Sequence, residues 1–377
     1  MLAATVLDPG TLDAMQPEWD ALVYRDPLAT AYQTHAVSVG GWRIDAAEMD
    51  LEPVVIAIRD EAGTLVGLAP LAIWTRRQHG IPWRVLGSLS GTWSSAWDIL
   101  AVPDREEEVG ALVLKCLADH RHRFDQFRVR RVRSDARLAQ LARTAPPPLT
   151  TWRTPSSPVG HWLFVEPGWT GINDRLSKSY RRYVRRCRAK AYEDEGAELI
   201  LAGVAPHEAV RRLARLHVAR WGAEKSELAH PGRVERFGDL LKVIFDRDQG
   251  GYLEIQTGNG EPIAALIFLR LGHSAVLYRS AYNPAFADLS PGVVMEADVL
   301  DTLIRMGMTE VSFGYGNDPY KRHWSNATRE VCTVSACAPT ARTWSARAAL
   351  AAFSRTGLTA RLHRPWSYAV PGRLMGY

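Results

Sequence analysis

The stretch that decides the fold is EPIAALIFLRLGHSAVLYRSAYNPAFADLSPGVVMEADVLDTLIRMG, residues 261–307. Pro262 to Arg270 and Ala275 to Ala281 read as strands joined at Gly272–His273. Tyr252 to Gln256, ahead of Thr257–Gly258–Asn259–Gly260, adds a third, so the three form a β-meander. Ser290–Pro291–Gly292 breaks the strand pattern. Val293, Val294, Ala297, Leu300, Leu303 and Ile304 then recur at helical spacing. Glu310 to Phe313 is a further strand, and Asp318–Pro319 opens a short helix with an N-cap and a first-turn proline. A helix that starts at such a turn offers unspent backbone N–H groups and the positive end of its dipole, where phosphate binds. Ser290, Gly292 and Val293 are the expected donors around Pro291, and Gly292 permits close backbone approach. Pro–Gly at a strand–helix junction also occurs for steric reasons alone.

The same α/β grammar extends toward the N-terminus. His161 to Val165 and Glu198 to Leu201 read as short strands. Arg175 to Glu193, Pro206 to Trp221 and Arg233 to Asp246 read as helices. The first half alternates likewise. Glu18 to Tyr24 is helical, Pro53 to Ile58, Gly63 to Trp74, Trp83 to Leu86, Asp98 to Val102 and Phe127 to Val132 are strands, and Asp104 caps a helix reaching His120 with Glu106, Glu107 and Glu108 in its first turn. Residues 144–160, TAPPPLTTWRTPSSPVG, are rich in Pro, Ser and Thr and read as a linker. The division is therefore a first domain over 1–143, a linker over 144–160, a second domain over 161–338 with Val331 to Ala336 as its last strand, and a basic tail over 339–377. Two domains suit 377 residues at roughly 150 per domain.

Hydrophobic residues make up 46% and charged residues 23%, which excludes a disordered, collagen-like or disulfide-scaffold chain. No uncharged apolar run approaches the ~18 residues of a membrane span. The N-terminus has no cationic segment before an apolar one, so a cytoplasmic site is expected. Cys116, Cys187, Cys332 and Cys337 form no CxxC pair and have no histidine cluster, so neither a zinc site nor any other metal is expected. The net charge of +5 is unevenly spread. Arg175, Lys178, Arg181, Arg182, Arg185, Arg186, Arg188 and Lys190 crowd one helix, and no acid follows Glu330. Both zones fit an anionic ligand, RNA or lipid headgroups, or simply solvated faces.

Several segments together resemble the tandem-GNAT acyltransferases, above all the CelD/BcsL type linked to cellulose and exopolysaccharide biosynthesis. They are LSKSYRRYVRRCRAKAYEDEG (Leu176–Gly196), LARLHVARWG (Leu213–Gly222), the 261–307 stretch, VSFGYGNDPYKRHW (Val311–Trp324) and, in the first half, PEWDALV, AYQTHAVSVGGW and WRVLGSLSG…DILAVPD. The resemblance reaches residue 338. It implies an α/β (α+β) fold of two GNAT-like domains, each a mixed, mostly antiparallel sheet flanked by helices. It also implies direct acyl transfer, with the acyl thioester between two splayed strands, Ala275–Ala281 and Glu310–Phe313. The donor is expected to be acetyl-CoA, its pyrophosphate at Ser290–Val293, although LSPGV replaces the usual glutamine/arginine-rich, double-glycine loop. The first domain is expected to lack a donor turn of its own.

Direct transfer needs a neutral nucleophile, a stabilised oxyanion and a proton for the leaving thiolate. The resemblance makes Tyr320 the candidate proton donor to the thiolate, the alternative being an ordinary half-buried aromatic. Lys321 is a candidate for the acceptor's anionic group or the oxyanion. Asp318 is a plain N-cap or a candidate for the acceptor's proton. Trp221, Tyr278, Tyr282 and Trp324 offer aromatic faces for a pyranose or serve as core. His217 is a substrate-side base or a satisfied core histidine. Arg181, Arg182 and Arg185 could meet a phosphorylated saccharide or RNA. The expected acceptor is an amino sugar of an exopolysaccharide or cell-envelope precursor, free or lipid-linked, the latter placing the enzyme at the inner membrane face. The tail, with Trp344, Leu350, Phe353 and Trp366 among arginines, is open to a membrane surface, an anionic nucleotide or docking on the domain. Two rival readings remain: aminoacyl transfer from charged tRNA, as in Fem-like enzymes, and a non-catalytic anion sensor.

Overall fold

A computed structural model describes residues 1–78, 81–144, 150–201, 203–345 and 348. The chain divides into two compact units. The first holds residues 1–158 and resumes at Glu330, and the second holds residues 159–329.

In the first unit, β1 (Ala3–Val6), β2 (Leu51–Arg59), β3 (Leu65–Gln78) and β4 (Ile81–Ser88) pair antiparallel in order, and the two-residue β5 (Leu100–Ala101) pairs with β3. β4 then pairs parallel with β6 (Gln126–Arg133). Helices α1 (Gln16–Arg25), α2 (His35–Ala46), α3 (Glu106–Asp119) and α4 (Arg137–Thr144) complete it. β2 is buried from Pro53 to Ile58 on both faces, which is why its sequence is an unbroken apolar run. Neither α2 nor α4 is among the helices expected above. α2 contains Gly40–Gly41, poor helix formers. A Cβ at Gly41 would stand 2.8 Å from that of Trp93, so tertiary packing requires the glycine that propensity disfavours. α4 is capped from a distance: the buried Asp98 accepts the backbone N–H groups of Arg137 and Leu138, each at 2.8 Å. Arg137 in turn forks onto the buried Asp26 at 2.7 and 2.9 Å.

The second unit contains β7 (Thr150–Phe164) from Val159 onward, α5 (Lys178–Ala189), β8 (Glu198–Ile200), α6 (Pro206–Trp221), α7 (Pro231–Asp246), β9 (Gly250–Gln256), β10 (Pro262–Leu271), β11 (Ser274–Tyr282), α8 (Pro291–Arg305), β12 (Glu310–Tyr315) and α9 (Lys321–Trp324). The strand order is β7-β12-β11-β10-β9-β8. All the described pairings are antiparallel except β11–β12. The meander is β9–β10–β11 as expected. The expected linker over 144–160 is corrected, since β7 begins at Thr150 within it. Pro, Ser and Thr exclude a helix there but suit extended backbone equally well. The boundary at 338 also moves. β13 (Ala327–Cys337) pairs with β6 through Val331–Cys337 and belongs, from Glu330, to the first unit. Of the tail, Arg342 bonds Asp125 at 3.1 Å and the Pro82 carbonyl at 2.9 Å. Leu350, Phe353 and Trp366 lie outside the described residues.

Side-chain alternation sorts the helices of the second unit to two faces. Glu254 meets Arg212 of α6 at 2.7 Å, and Tyr278 meets Phe237 of α7, ring centroids 6.2 Å apart. Leu253, Ile255 and Leu266 point the other way, into a core with Val184 of α5 and Val294, Ala297, Leu300 and Leu303 of α8. α5 is clamped to α8 by Arg188, which meets Asp298 and Asp301, both at 2.6 Å. Asp301 also accepts the Ile172 N–H at 2.7 Å. Removing Arg188 leaves two largely buried carboxylates without their cation, so Arg188→Ala should destabilise the protein by about 3–5 kcal/mol in denaturant unfolding. A loss below about 1 kcal/mol would show that the clamp does not hold α5.

Candidate functional site

β11 and β12 pair over only three positions, Ser274↔Glu310, Ala275↔Val311 and Val276↔Ser312. Beyond them β11 stays on β10 as far as Tyr282↔Ala264, while β12 stays with β7, its register shifting before Tyr315↔Gly160. The facing edges therefore part without ladder partners for each other. Backbone N–H and C=O groups in such an opening need partners, and an extended amide-bearing chain can supply them.

The turn into α8 lies beside this opening in sequence. Asn283 caps a 3₁₀ turn by accepting the Ala285 N–H at 3.0 Å, and Ser290 takes a left-handed conformation (φ 53°) that redirects the chain into α8. The expected set of N–H donors shrinks here. Ser290 N–H bonds the Ala287 carbonyl at 3.1 Å, Val293 N–H bonds the Ser290 carbonyl at 2.9 Å, and Pro291 has none. Only the Gly292 N–H of this group is left, and a Cβ at Gly292 would meet nothing within 4 Å. The Ser290 hydroxyl lies 3.4 Å from that of Tyr183 on α5, and Arg186 packs 5.6 Å from the Tyr183 ring centroid. Arg186 is thus linked to the turn through Tyr183. Arg181, Arg182 and Arg185 are exposed, Arg181 also donating to the Leu176 carbonyl at 3.2 Å.

α8 also carries Glu296, which sequence reasoning passed over. Burial pushes its carboxyl up to about 8, against the opposing pull of the Trp324 indole, Lys321 and Arg220. The only sign in the sequence is an acid within an apolar helical stripe, three residues after Val293 and four before Leu300. Around it, Tyr180 of α5 stacks on His323 at 4.2 Å and meets Trp324 edge-on at 5.3 Å. Trp324 is fully buried, and among the described residues its Nε1 completes no hydrogen bond, although the indole is close enough to Glu296 to lower its pKa. So buried, Trp324 cannot offer a ring face to a sugar. Tyr278 is likewise buried, between Phe237 and Arg279.

The residues marked for chemistry on the 315–321 turn are spent partly on the turn itself. Lys321 is buried, and its Nζ donates to the Tyr315 carbonyl at 2.9 Å and meets Asp318 Oδ2 at 2.9 Å. Gly316 (φ 124°) is required because a Cβ there would lie 2.7 Å from Asp318 Oδ2 and 3.1 Å from Nζ. Tyr320 stands exposed at the head of α9. His161 of β7 lies buried behind, its Nδ1 3.1 Å from Ser325 Oγ and its Nε2 without a hydrogen bond among the described residues. Burial and the cations Lys321 and Arg322 lower its pKa.

The C-terminus of α6 forms a second group. His217 packs at a tilt against Trp221, ring centroids 4.3 Å apart, and bonds Ser226 Oγ through Nδ1 at 2.8 Å. Burial lowers its pKa to about 4, so the ring is neutral and serves as a fixed support. Arg220 lies over Trp221 and over Tyr282, 4.2 Å from each ring. Tyr282 ends β11, beyond its last pairing with β12. The positive charge of Arg220 also acts on Glu296, lowering its pKa against the effect of burial. Among the described residues no group of three His, Cys, Asp or Glu side chains converges as a metal site, and no helix is long and apolar enough to cross a membrane.

Residues 178–322 match the acetyltransferase (GNAT) domain family. No curated protein matches the sequence. Among solved structures, FemX superposes with a TM-score of 0.63 at 10% identity, covering 88% of this chain and 96% of its own. A tandem GNAT protein from the clavulanic acid biosynthesis pathway does so at 0.52 and 14%, covering 90% and 100%. The C-terminal domain of a putative lysylphosphatidylglycerol synthetase from Agrobacterium fabrum gives 0.53 and 11%, covering 92% and 97%. At these identities the likeness establishes the fold, which is that of a tandem GNAT protein. With the matched domain spanning α5 to α9, the chain is a GNAT-type acyltransferase.

Proposed function

We propose that the second unit transfers an acetyl group from acetyl-CoA to the amine of an amino sugar in an exopolysaccharide or cell-envelope precursor. The observation that carries this reading is the parting of β11 and β12 at the end where Glu296 lies. The donor supplies the acyl group as a thioester. Its pyrophosphate fits at the α8 turn, where Gly292 leaves an N–H and open space, and Ser290, Pro291 and Val293 shape the bend. The first unit is electrostatically unsuited to the same task. Its corresponding helix, α3, follows β4 and precedes β6, and carries Glu106, Glu107 and Glu108 in its first turn, where α8 carries no acid. Three carboxylates at a helix N-terminus repel phosphate.

In this reading Glu296 takes the proton from the attacking nitrogen. A carboxyl held near 8 is a far better match to an amine than an ordinary one. The nitrogen bonds the acyl carbon, the carbon–sulfur bond breaks, and Tyr320 returns a proton to sulfur. Lys321 and Asp318 keep the turn that presents Tyr320, and Trp221 and Tyr282 are the remaining candidates for the sugar face. A second reading, aminoacyl transfer from charged tRNA, is favoured by one observation. Arg182 and Arg185 are exposed on α5 and meet no acid among the described residues.

Isothermal titration with acetyl-CoA tests the donor. The wild type should bind, and Gly292→Glu should weaken binding at least ~10-fold with an unchanged melting point, because the new side chain enters open space and opposes the phosphates. An absence of binding by the wild type would discard acetyl-CoA and bring charged tRNA forward.

Glu296 gives two pH signatures. With glucosamine as probe acceptor, kcat/KM should rise with pH through an inflection near 8 and level off above it. Glu296→Gln should lower it by about 10²–10⁴ and abolish that limb. A variant that keeps both rate and limb removes Glu296 from the reaction. The folded-state pKa is raised above the ordinary 4.5, so the carboxyl favours folding below that value and loses this contribution as pH rises through about 8. Thermal melts of Glu296→Gln should match the wild type at pH 5 and exceed it by several °C at pH 9, at about 2–4 °C per kcal/mol.

A further inference from the structure

α6 and its surroundings are rich in arginine, and nearly every one is matched. Arg211 meets Glu235 at 3.1 Å, Arg212 meets Glu254 at 2.7 Å, Arg215 meets Glu208 at 3.3 Å, and Arg279 meets Glu227 at 3.2 Å. Arg220 differs. It forms no ion pair or hydrogen bond among the described residues, yet its guanidinium is held over Trp221 and Tyr282 at 4.2 Å each. The two ring contacts set the guanidinium's charge against aromatic faces and leave its N–H fork without a protein acceptor among the described residues. Such a fork is the geometry that takes carboxylate or phosphate bidentately. Trp221 is itself braced by the His217 ring, which Ser226 holds through Nδ1. The fork is therefore pre-set on supported aromatics, which reduces the ordering cost of binding.

We infer that Arg220 binds an anionic group of the acceptor, a carboxylate or a phosphate, beside the opening between β11 and β12. This rests on the acyl-transfer reading only for its assignment of that opening to the acceptor. The acceptor is then an acidic or phosphorylated sugar rather than a neutral one. The exposed arginines of α5 are not part of this subsite, since they lie at the other side of the unit with α8.

The test is equilibrium binding to the full chain with no acyl donor present. Isothermal titration compares glucosamine with glucosamine 6-phosphate and with glucuronate, so that the two sources of negative charge are separated. At least one of the anionic sugars should bind the wild type ~10-fold or more tightly than glucosamine. Arg220→Ala should erase that difference, Arg220→Lys should restore only part of it, because an ammonium neither forks nor stacks in the same way, and Arg182→Ala with Arg185→Ala should leave it intact. Arg220→Lys keeps the charge and serves if the alanine variant misfolds. Anionic sugars that bind the wild type no better than glucosamine overturn the inference. So does full retention of the preference in Arg220→Ala or Arg220→Lys, or its loss in the α5 variant. Because no thioester is present, failure of acetyl-CoA to bind and failure of this inference are read independently.

Discussion

The structure of the second unit depends on two strands being kept apart. Antiparallel neighbours elsewhere in its sheet run paired nearly end to end, and β11–β12 stops after three positions. Closing the gap would satisfy backbone groups that stand idle, so something must oppose it. Part of the opposition is β7, which holds β12 through Trp162, Leu163 and Phe164 and takes Asn326 onto the backbone of Phe164 at 2.8 Å in both directions. The rest is the buried Lys321, whose ammonium binds the Tyr315 carbonyl at the far end of β12. A buried ammonium is tolerable only when paired, and Asp318 pairs it. The turn over 315–321 is thus built around a charge that has to stay where it is.

Helix α8 bears two opposed loads. Val294, Ala297, Val299, Leu300 and Leu303 are entirely buried, at roughly 1.5–3 kcal/mol for each large apolar side chain. Glu296, in the same helix, carries a carboxyl that its surroundings disfavour in the charged state. The apolar gain tolerates that cost, and the outcome is an acid whose proton is exchangeable near neutrality. A fold concerned with packing alone would place an apolar residue there.

The sequence made the second unit legible because its signals are local. Pro206 in the first turn and Gly222 (φ 79°) past the end bound α6 as expected, and Gly-rich turns set out the meander. The first unit was less legible. α2 rests on Gly41 against Trp93, and α4 on Asp98 from 39 residues away, so both depend on contacts that no local pattern contains. The supposed linker failed for a related reason: composition said what the segment could not be, and a strand and a linker share extended backbone. At the site, the position of the α8 turn was readable and its N–H inventory was not, because the left-handed Ser290 decides which groups are already bonded. Glu296 was hidden because an acid on a helix reads as surface until the helix is seen to be covered.

The basic helix shows how charge runs divide in use. Arg188 and Lys190 point to acids of the same unit, at 2.6 and 3.0 Å, and Arg175 donates to the Ser325 carbonyl at 2.7 Å. Arg188 ties α5 to α8, Lys190 ties the end of α5 to the turn before α8, and Arg175, ahead of α5, holds the residue after α9. Arg182 and Arg185 make no such tie, and stay in solvent. On α6 the division is sharper, since Arg211, Arg212 and Arg215 are neutralised within the unit and Arg220 is not. An arginine with a carboxylate partner is committed to the fold. One that is stacked, braced and unpaired, at the spot where two strands part, has its hydrogen-bonding edge left for something that is not the protein.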